Sequence, residues 1–408
     1  MKKRSDTAQD VWVTGVGLHS AFGDLGETWN ALAEGRSALK VQGLSSIDDF
    51  PPVPVAASGK TSVRSYLTDR KLAKYMSPTT EFAVVAAGQA LRQAGLFDDE
   101  ERKAATALYV ATNLIAFDVS AVTQAIESAK GEDGTLDMAR MGGEGWRRCH
   151  PLMPFKMLLN MPLGLISIVY GLQGANAILY PTPDQAALCM DMALRGIRAG
   201  RFSRALVGAT AHNVDLLPLS TYRRLGRLAA NAEAAQPYGS QHSGYALGDG
   251  AGFLMLESEA SVIERGVEPL ARIRSAKVSR SWQPGVVGAT EKLWRGAKDL
   301  GSANGPDLLV STGSLNTEDD VRERTLANEL WPAADAALMS LDGRLGYWGA
   351  AALMGGAGLA VTMLHRQERI RSTTTGGDGA PKEIWSSLTD PDGAGALLRF
   401  EAAKGGGA

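Results

Sequence analysis

Few residues in this chain are equipped for chemistry: two cysteines, Cys149 and Cys189, and five histidines among 408 residues. A cysteine at a sharp strand-to-helix turn makes a strong nucleophile, because the positive end of the helix favours the thiolate. Histidines beside it supply a base or stabilise developing charge. A turn of that kind is written in NAILYPTPDQAALCMDMALRGIRAG (176–200), where an apolar run gives way to an amphipathic helix. Its tip, Tyr180-Pro181-Thr182-Pro183-Asp184-Gln185, holds prolines and no cysteine. The pattern reads as a helix start, with Thr182 as N-cap, Pro183 at the first helical position and Gln185 completing a capping box. Asp184 adds a negative charge to the first turn, stabilising by about 0.3–1 kcal/mol. Proline there sacrifices no helix bond, yet it has no N–H to donate to an oxyanion.

The other reactive side chains read as structural. Cys189 lies six residues beyond Pro183, roughly 9 Å along the helix and turned by about 240°, so it belongs to the core. Cys149 and His150 are neighbours on an extended segment and point apart. His19, His212, His242 and His365 sit in no catalytic pattern, and Thr182 has no base near it in sequence. Two isolated cysteines suit a reducing, cytoplasmic setting and provide no metal-ligand spacing.

A formal charge of −2 and the lack of any basic tract beyond Met1-Lys2-Lys3-Arg4 argue against nucleic-acid binding. The most apolar window, Met157 to Leu172, contains Asn160, Pro162, two glycines and a serine; it is too short and too broken to span a membrane and reads as buried core. Strands are expected at Val11–Gly17, Ala107–Ala111, Ser203–Gly208, Gly252–Glu257 and Asp307–Val310. Helices are expected at Thr28–Glu34 and Thr79–Ala94, each closed by a glycine. Thr373–Gly379 reads as a surface loop. Strands alternating with helices imply a mainly parallel α/β sheet covered on both faces, and the scheme restarts after about Leu270.

The order of four segments resembles the β-ketoacyl-acyl carrier protein synthase family of the thiolase superfamily. They are VWVTGVGLHSAFGDLGETWNALAEGRSAL (11–39), PFKMLLNMPLGLISIVYGLQGAN (154–176), MALRGIRAGRFSRALVGAT (192–210) and GYALGDGAGFLMLES (244–258). The resemblance covers Val11 to Phe400. It implies a thiolase-like fold of two similar halves in five layers, α-β-α-β-α, divided at 1–262 and 263–408. It also implies a dimer, substrates held on an acyl carrier protein, and no cofactor.

Carried across residue by residue, the resemblance places the family's catalytic cysteine at Pro183. Its first histidine falls at Thr312, in Thr312-Gly313-Ser314-Leu315-Asn316. Its second falls at Gly346 or, with one deletion, at Tyr347. The glycine-rich gate becomes Asp390-Pro391-Asp392-Gly393-Ala394-Gly395. No catalytic side chain remains at any of these positions. The resemblance therefore implies a subunit similar to ketosynthase chain-length factors, paired with a catalytic ketosynthase and helping to shape the tunnel for a polyketide or fatty acyl chain. It departs from the pattern that has glutamine at the cysteine position, since Gln185 lies two residues late. The alternatives are an acyltransferase or condensing enzyme with an altered nucleophile, and a homodimeric scaffold that binds carrier proteins. Tunnel or interface residues are expected at Phe117 and Val119 in an Asn113–Gln124 helix, at Asn176, Ile178 and Tyr180, and at Trp348. Carrier-protein contacts are expected at Arg70, Lys71 and Lys74.

Overall fold

A computed structural model describes residues 9–43, 50–59, 62–113, 119–149, 151–281, 287–299, 305–332, 337–370, 374–375 and 379–403. The first apolar run forms the strand Val11–His19 (β1), buried along almost its whole length. Its GVG sequence has a steric cause: a Cβ at Gly17 would lie 1.7 Å from the Ala86 carbonyl oxygen. The helix Pro78–Gln93 (α1) thus lies directly on the strand backbone.

The chain continues through the strands Ala107–Thr112 (β2), Asn176–Leu179 (β3), Arg204–Ala211 (β4) and Gly250–Ser258 (β5). A second series follows: Ala271–Arg280 (β6), Leu308–Thr312 (β7), Ala337–Ser340 (β8), Thr374–Thr375 (β9), Glu383–Thr389 (β10) and Ala394–Ala402 (β11). Strand order is β3-β2-β4-β5-β1 in the first half and β8-β7-β10-β11-β6 in the second. Each half pairs its first three strands in parallel and its last two antiparallel, so one topology occurs twice. The halves join along Val11–Val13 of β1 and Ala271–Ile273 of β6, giving an 11-stranded sheet with β9 at its far edge.

Two sequence expectations need correction here. The sheet is mixed, with six antiparallel ladders and four parallel ones. A run of buried apolar residues looks alike in either direction, whereas the Asp390–Gly393 turn folds β11 straight back on β10. The expected loop at 373–379 contributes β9, paired to β8.

Helices form three layers. α1 and Met161–Tyr170 (α2) cover the outer face of the first half. Gln185–Arg198 (α3) and Ala352–Arg366 (α6) lie between the halves and touch strands of both. Val287–Asp299 (α4) and Thr317–Leu330 (α5) cover the second half. The glycine-rich stretch near 350 becomes α6, whose residues are buried from Ala352 to Leu364. A helix pressed between two sheets must be apolar all round, and small side chains let both sheets approach. The apolar window 157–172 is core on one side only: Leu165, Ile166 and Tyr170 are buried, while Met157, Leu158 and Ile168 are exposed. Among the described residues no helix is long and apolar enough to cross a membrane.

Candidate functional site

β3 ends at Leu179, and the chain turns through Tyr180, a cis Pro181, Thr182 and Pro183 before α3 begins. The helix starts at Gln185 with Asp184 as its cap, so Thr182 is not the N-cap and the expected capping box is absent. Thr182 is occupied otherwise. Its Oγ1 accepts from Gln185 Nε2 at 3.0 Å and from Arg280 Nη2 at 3.1 Å. A hydroxyl whose lone pairs both take hydrogen bonds is poorly placed to attack an ester, which removes Thr182 as a replacement nucleophile. Asp184 is wholly buried and receives Arg280 Nε at 3.1 Å and Nη2 at 2.9 Å. Arg280 ends β6, so a side chain of the second half clamps the turn of the first.

This turn forms one wall of a cavity of about 240 Å³. Pro181, Thr182 and Pro183 face Tyr222, Tyr245 and Tyr347, and the Asp390-Pro391-Asp392 turn closes one side. The Tyr245 and Tyr347 rings stack with centroids 4.4 Å apart, and Tyr222 meets both edge-on at 5.9 and 6.4 Å. Each such contact stabilises by about 0.5–1.5 kcal/mol beyond the area it buries. Tyr245 Oη donates to the Gly313 carbonyl at 2.6 Å, which fixes the cluster against the end of β7.

The two positions considered for the second histidine differ in their settings. Gly346 has φ +71°, and a Cβ there would come within 2.8 Å of the Gly248 backbone, so no side chain fits. Tyr347 lines the cavity. Trp348 does not: it is buried, donates Nε1–H to the Leu345 carbonyl at 3.0 Å and abuts Gly250 and Gly355. The expectation of a tunnel or interface role for Trp348 is corrected to core packing.

Thr312 sits one layer behind the tyrosines and donates to Asp342 at 2.8 Å, while Gly313 N–H donates to the same carboxylate at 2.8 Å. Burial pushes the Asp342 carboxyl up to about 6, against the pull of those donors. Further back, Asp320 accepts from Ser314 Oγ and from Tyr238 N–H, and it pairs with His242 Nδ1, each at 2.7 Å. Glu323 accepts from Tyr238 Oη, Ser311 and Thr389. Sequence reading missed this network; its signal was the spacing of Asp319, Asp320 and Glu323 in the helix right after Thr312.

At the cavity, Arg227 grips Asp392 with two hydrogen bonds of 3.0 and 2.6 Å, which hold that carboxyl below its ordinary range. Asp390 is buried and is pushed up to about 6, first by burial and then by the Asp392 charge. It is a proton-accepting group in a cavity whose described lining contains no cysteine and no histidine. Cys189 lies in the central layer with its thiol pushed up to about 12 by burial. Cys149 packs in a separate small cluster, and His150 lies outside the described residues. His19 stacks on Phe82 and is pushed down to about 4, chiefly by burial, while His212 pairs with Asp249 at 2.9 Å. Among the described residues no group of three or more His, Cys, Asp and Glu side chains has metal-binding geometry.

Of the remaining expected positions, those on the edge strand and on the basic segment can be placed. Asn176, Ile178 and Tyr180 lie on or just after β3, the edge strand of the first half; Asn176 and Tyr180 are exposed and Ile178 is half-buried. Phe117 lies outside the described residues. Val119 lies in a helix described over Val119–Ser128, and residues 114–118 of the expected Asn113–Gln124 helix lie outside the described residues. Arg70, Lys71 and Lys74 are exposed on the 3₁₀ segment Arg70–Tyr75.

Two repeated half-sheets enclosing a helix layer, with a cavity where the turns of both halves meet, define a thiolase-like ketosynthase fold. Residues 8–261 match the family described as "Beta-ketoacyl synthase, N-terminal domain", and the chain belongs to that family. It is similar to the 3-oxoacyl-[acyl-carrier-protein] synthase 2 of Synechocystis sp., 25% identical over 82% of this chain and 81% of that protein. It is also 25% identical to a putative mitochondrial 3-oxoacyl-[acyl-carrier-protein] synthase of Schizosaccharomyces pombe, over 64% of this chain and 62% of that protein. Among solved structures it is similar to the ishigamide ketosynthase/chain length factor, with a TM-score of 0.80 and 17% identity over 97% of this chain and all of that one. A β-ketoacyl synthase from Burkholderia phymatum matches with a TM-score of 0.79 and 18% identity, again over 97% and 100% of the two chains.

Proposed function

We propose that this chain is a non-catalytic, chain-length-factor-like subunit that pairs with an active ketosynthase and shapes the tunnel for a carrier-bound acyl chain. The observation that carries the reading is Pro183. It stands at the turn that bears the family's nucleophile, and it offers neither a thiol nor an N–H for an oxyanion hole. Thr312 and Tyr347 replace both histidines, and three tyrosines occupy the space in front of them.

The partner surface centres on β3. Its outer edge has no neighbouring strand among the described residues, and an open edge is a template for pairing with another chain. Tyr180, Ile168, Leu158 and Phe155 add exposed apolar area in the same part of the sequence. Arg70, Lys71 and Lys74 provide a basic stretch for an acidic carrier protein.

Co-expression with the ketosynthase encoded beside it, followed by native mass spectrometry and acyl-transfer assays, tests the proposal. A one-to-one heterodimer whose acylation resides wholly on the partner supports it. A stable homodimer that ignores every such ketosynthase, or acyl transfer to the isolated chain, sinks it.

A further inference from the structure

A second concavity lies beside β6, on the face that α4 covers. It has a volume of about 370 Å³ and runs between β6 and α4, with β11 beneath. Its floor is apolar, formed by Leu293, Ala297 and Leu397. Its rim is cationic: Lys277 from β6 and Lys292 from α4 are both exposed, and no carboxylate is among the lining residues. Arg399 also lines it, but Glu383 already holds that guanidinium at 2.9 Å. Neither Lys277 nor Lys292 has an ion pair among the described residues. Arg280 points to the other face of the strand, where Nε and Nη2 hold Asp184.

Gly296 supplies an independent observation. Glycine is a poor helix former, yet it occupies the interior of α4. No packing demand explains it, because a Cβ built there meets nothing within 4 Å. The open space in front of Gly296 is the groove itself. A closed helix face would carry a side chain at this position.

We propose that this groove is a binding site for a small amphipathic anion, a carboxylate or phosphate head on an unbranched apolar chain. The volume falls in the range of small-molecule pockets. The apolar floor takes the chain, and Lys277 and Lys292 on the rim take the head.

The test is calorimetric titration of the full chain, in complex with its ketosynthase where it purifies that way. The probes are octanoate, octyl phosphate, octanol and inorganic phosphate. Saturable one-to-one binding of either amphipathic anion is expected, with octanol and inorganic phosphate at least tenfold weaker; octanoate against octyl phosphate identifies the head group. The Lys277→Glu/Lys292→Glu variant is expected to weaken binding at least tenfold. Gly296→Leu fills the groove and improves helix propensity, so it is expected to abolish binding with an unchanged or higher Tm. Octanol binding as tightly as the anions, no saturable binding of either anion, or an unchanged affinity in a folded Gly296→Leu variant overturns the proposal.

Discussion

The cavity is bounded by two turns that the internal repeat makes equivalent. One links β3 to α3 through Tyr180–Asp184, and the other links β8 to α6 through Leu341–Ala351. On the proposed non-catalytic reading they exclude chemistry in different ways. The first is short and acts through its backbone: Pro183 lacks an N–H, and the clamp from Arg280 holds the turn in place. The second is long and acts through bulk, bringing Tyr347 against Tyr245 and burying Trp348 behind it. The lesson is that a reactive group can be lost by removing a donor or by filling the space before it. Restoring the first needs one residue; restoring the second needs a rebuilt wall.

Mutations separate these two modes, and the largest effect belongs to the filled side. Tyr347→Ala removes a fully buried ring from the aromatic cluster and is expected to destabilise by about 3–5 kcal/mol, as large-to-small aromatic changes do. Urea unfolding measures it; a loss under 1 kcal/mol would show that Tyr347 is not packed as described. Next comes the clamp. Arg280→Ala leaves Asp184 buried without its cation and is expected to cost about 3 kcal/mol, the low end for a broken buried pair because the guanidinium is more than half exposed. A fully additive double mutant with Asp184→Asn would show that the two side chains are not coupled.

The third prediction concerns pH and belongs to the second half. Asp342 and Asp390 titrate at about 6 in the folded chain against an ordinary 3.8. The folded form therefore keeps protons that the unfolded chain has released. The stabilisation is complete below about 3.8 and is lost as pH rises through about 6, amounting to at most ~3 kcal/mol per group. Unfolding free energies between pH 4 and 7 should fall with pH in the wild type and fall about half as steeply in Asp342→Asn, where Asp390 still titrates. The same slope in both would assign the effect elsewhere.

The smallest effect is expected at the proline. Pro183→Ala should change stability by less than about 1 kcal/mol, because it alters chiefly unfolded-state entropy at a turn that gave up no helix bond. Pro183→Cys should likewise fold, and it should still fail to condense acyl chains, since neither Thr312 nor Tyr347 supplies an imidazole. Condensation by that single variant would refute the account of the filled side.

Much of this molecule was legible residue by residue. The buried strands at 11, 107, 204, 250 and 308 and the helix after Ser77 follow from apolar periodicity and glycine stops, which are local properties. The four ordered segments were legible for the same reason, and the positions that the resemblance assigns to a cysteine and two histidines could be read directly, since identity at one site is a local fact. Strand direction was not, because a buried run has the same pattern either way. Nor was the start of α3, where Thr182 has the identity of a cap but is drawn off by Arg280, 98 residues distant in the chain.

What the sequence by itself determined is therefore identity at each position: proline where a nucleophile would stand, and no histidine at the two places that would assist it. What only the tertiary structure decided is company. It brought Tyr222, Tyr245 and Tyr347 into one cluster, barred any side chain at Gly346, sent Trp348 to the core and set a lone Arg280 over a buried carboxylate. These outcomes depend on distances between segments far apart in the chain. Such distances are set by how two sheets pack on shared helices, and no local pattern encodes them.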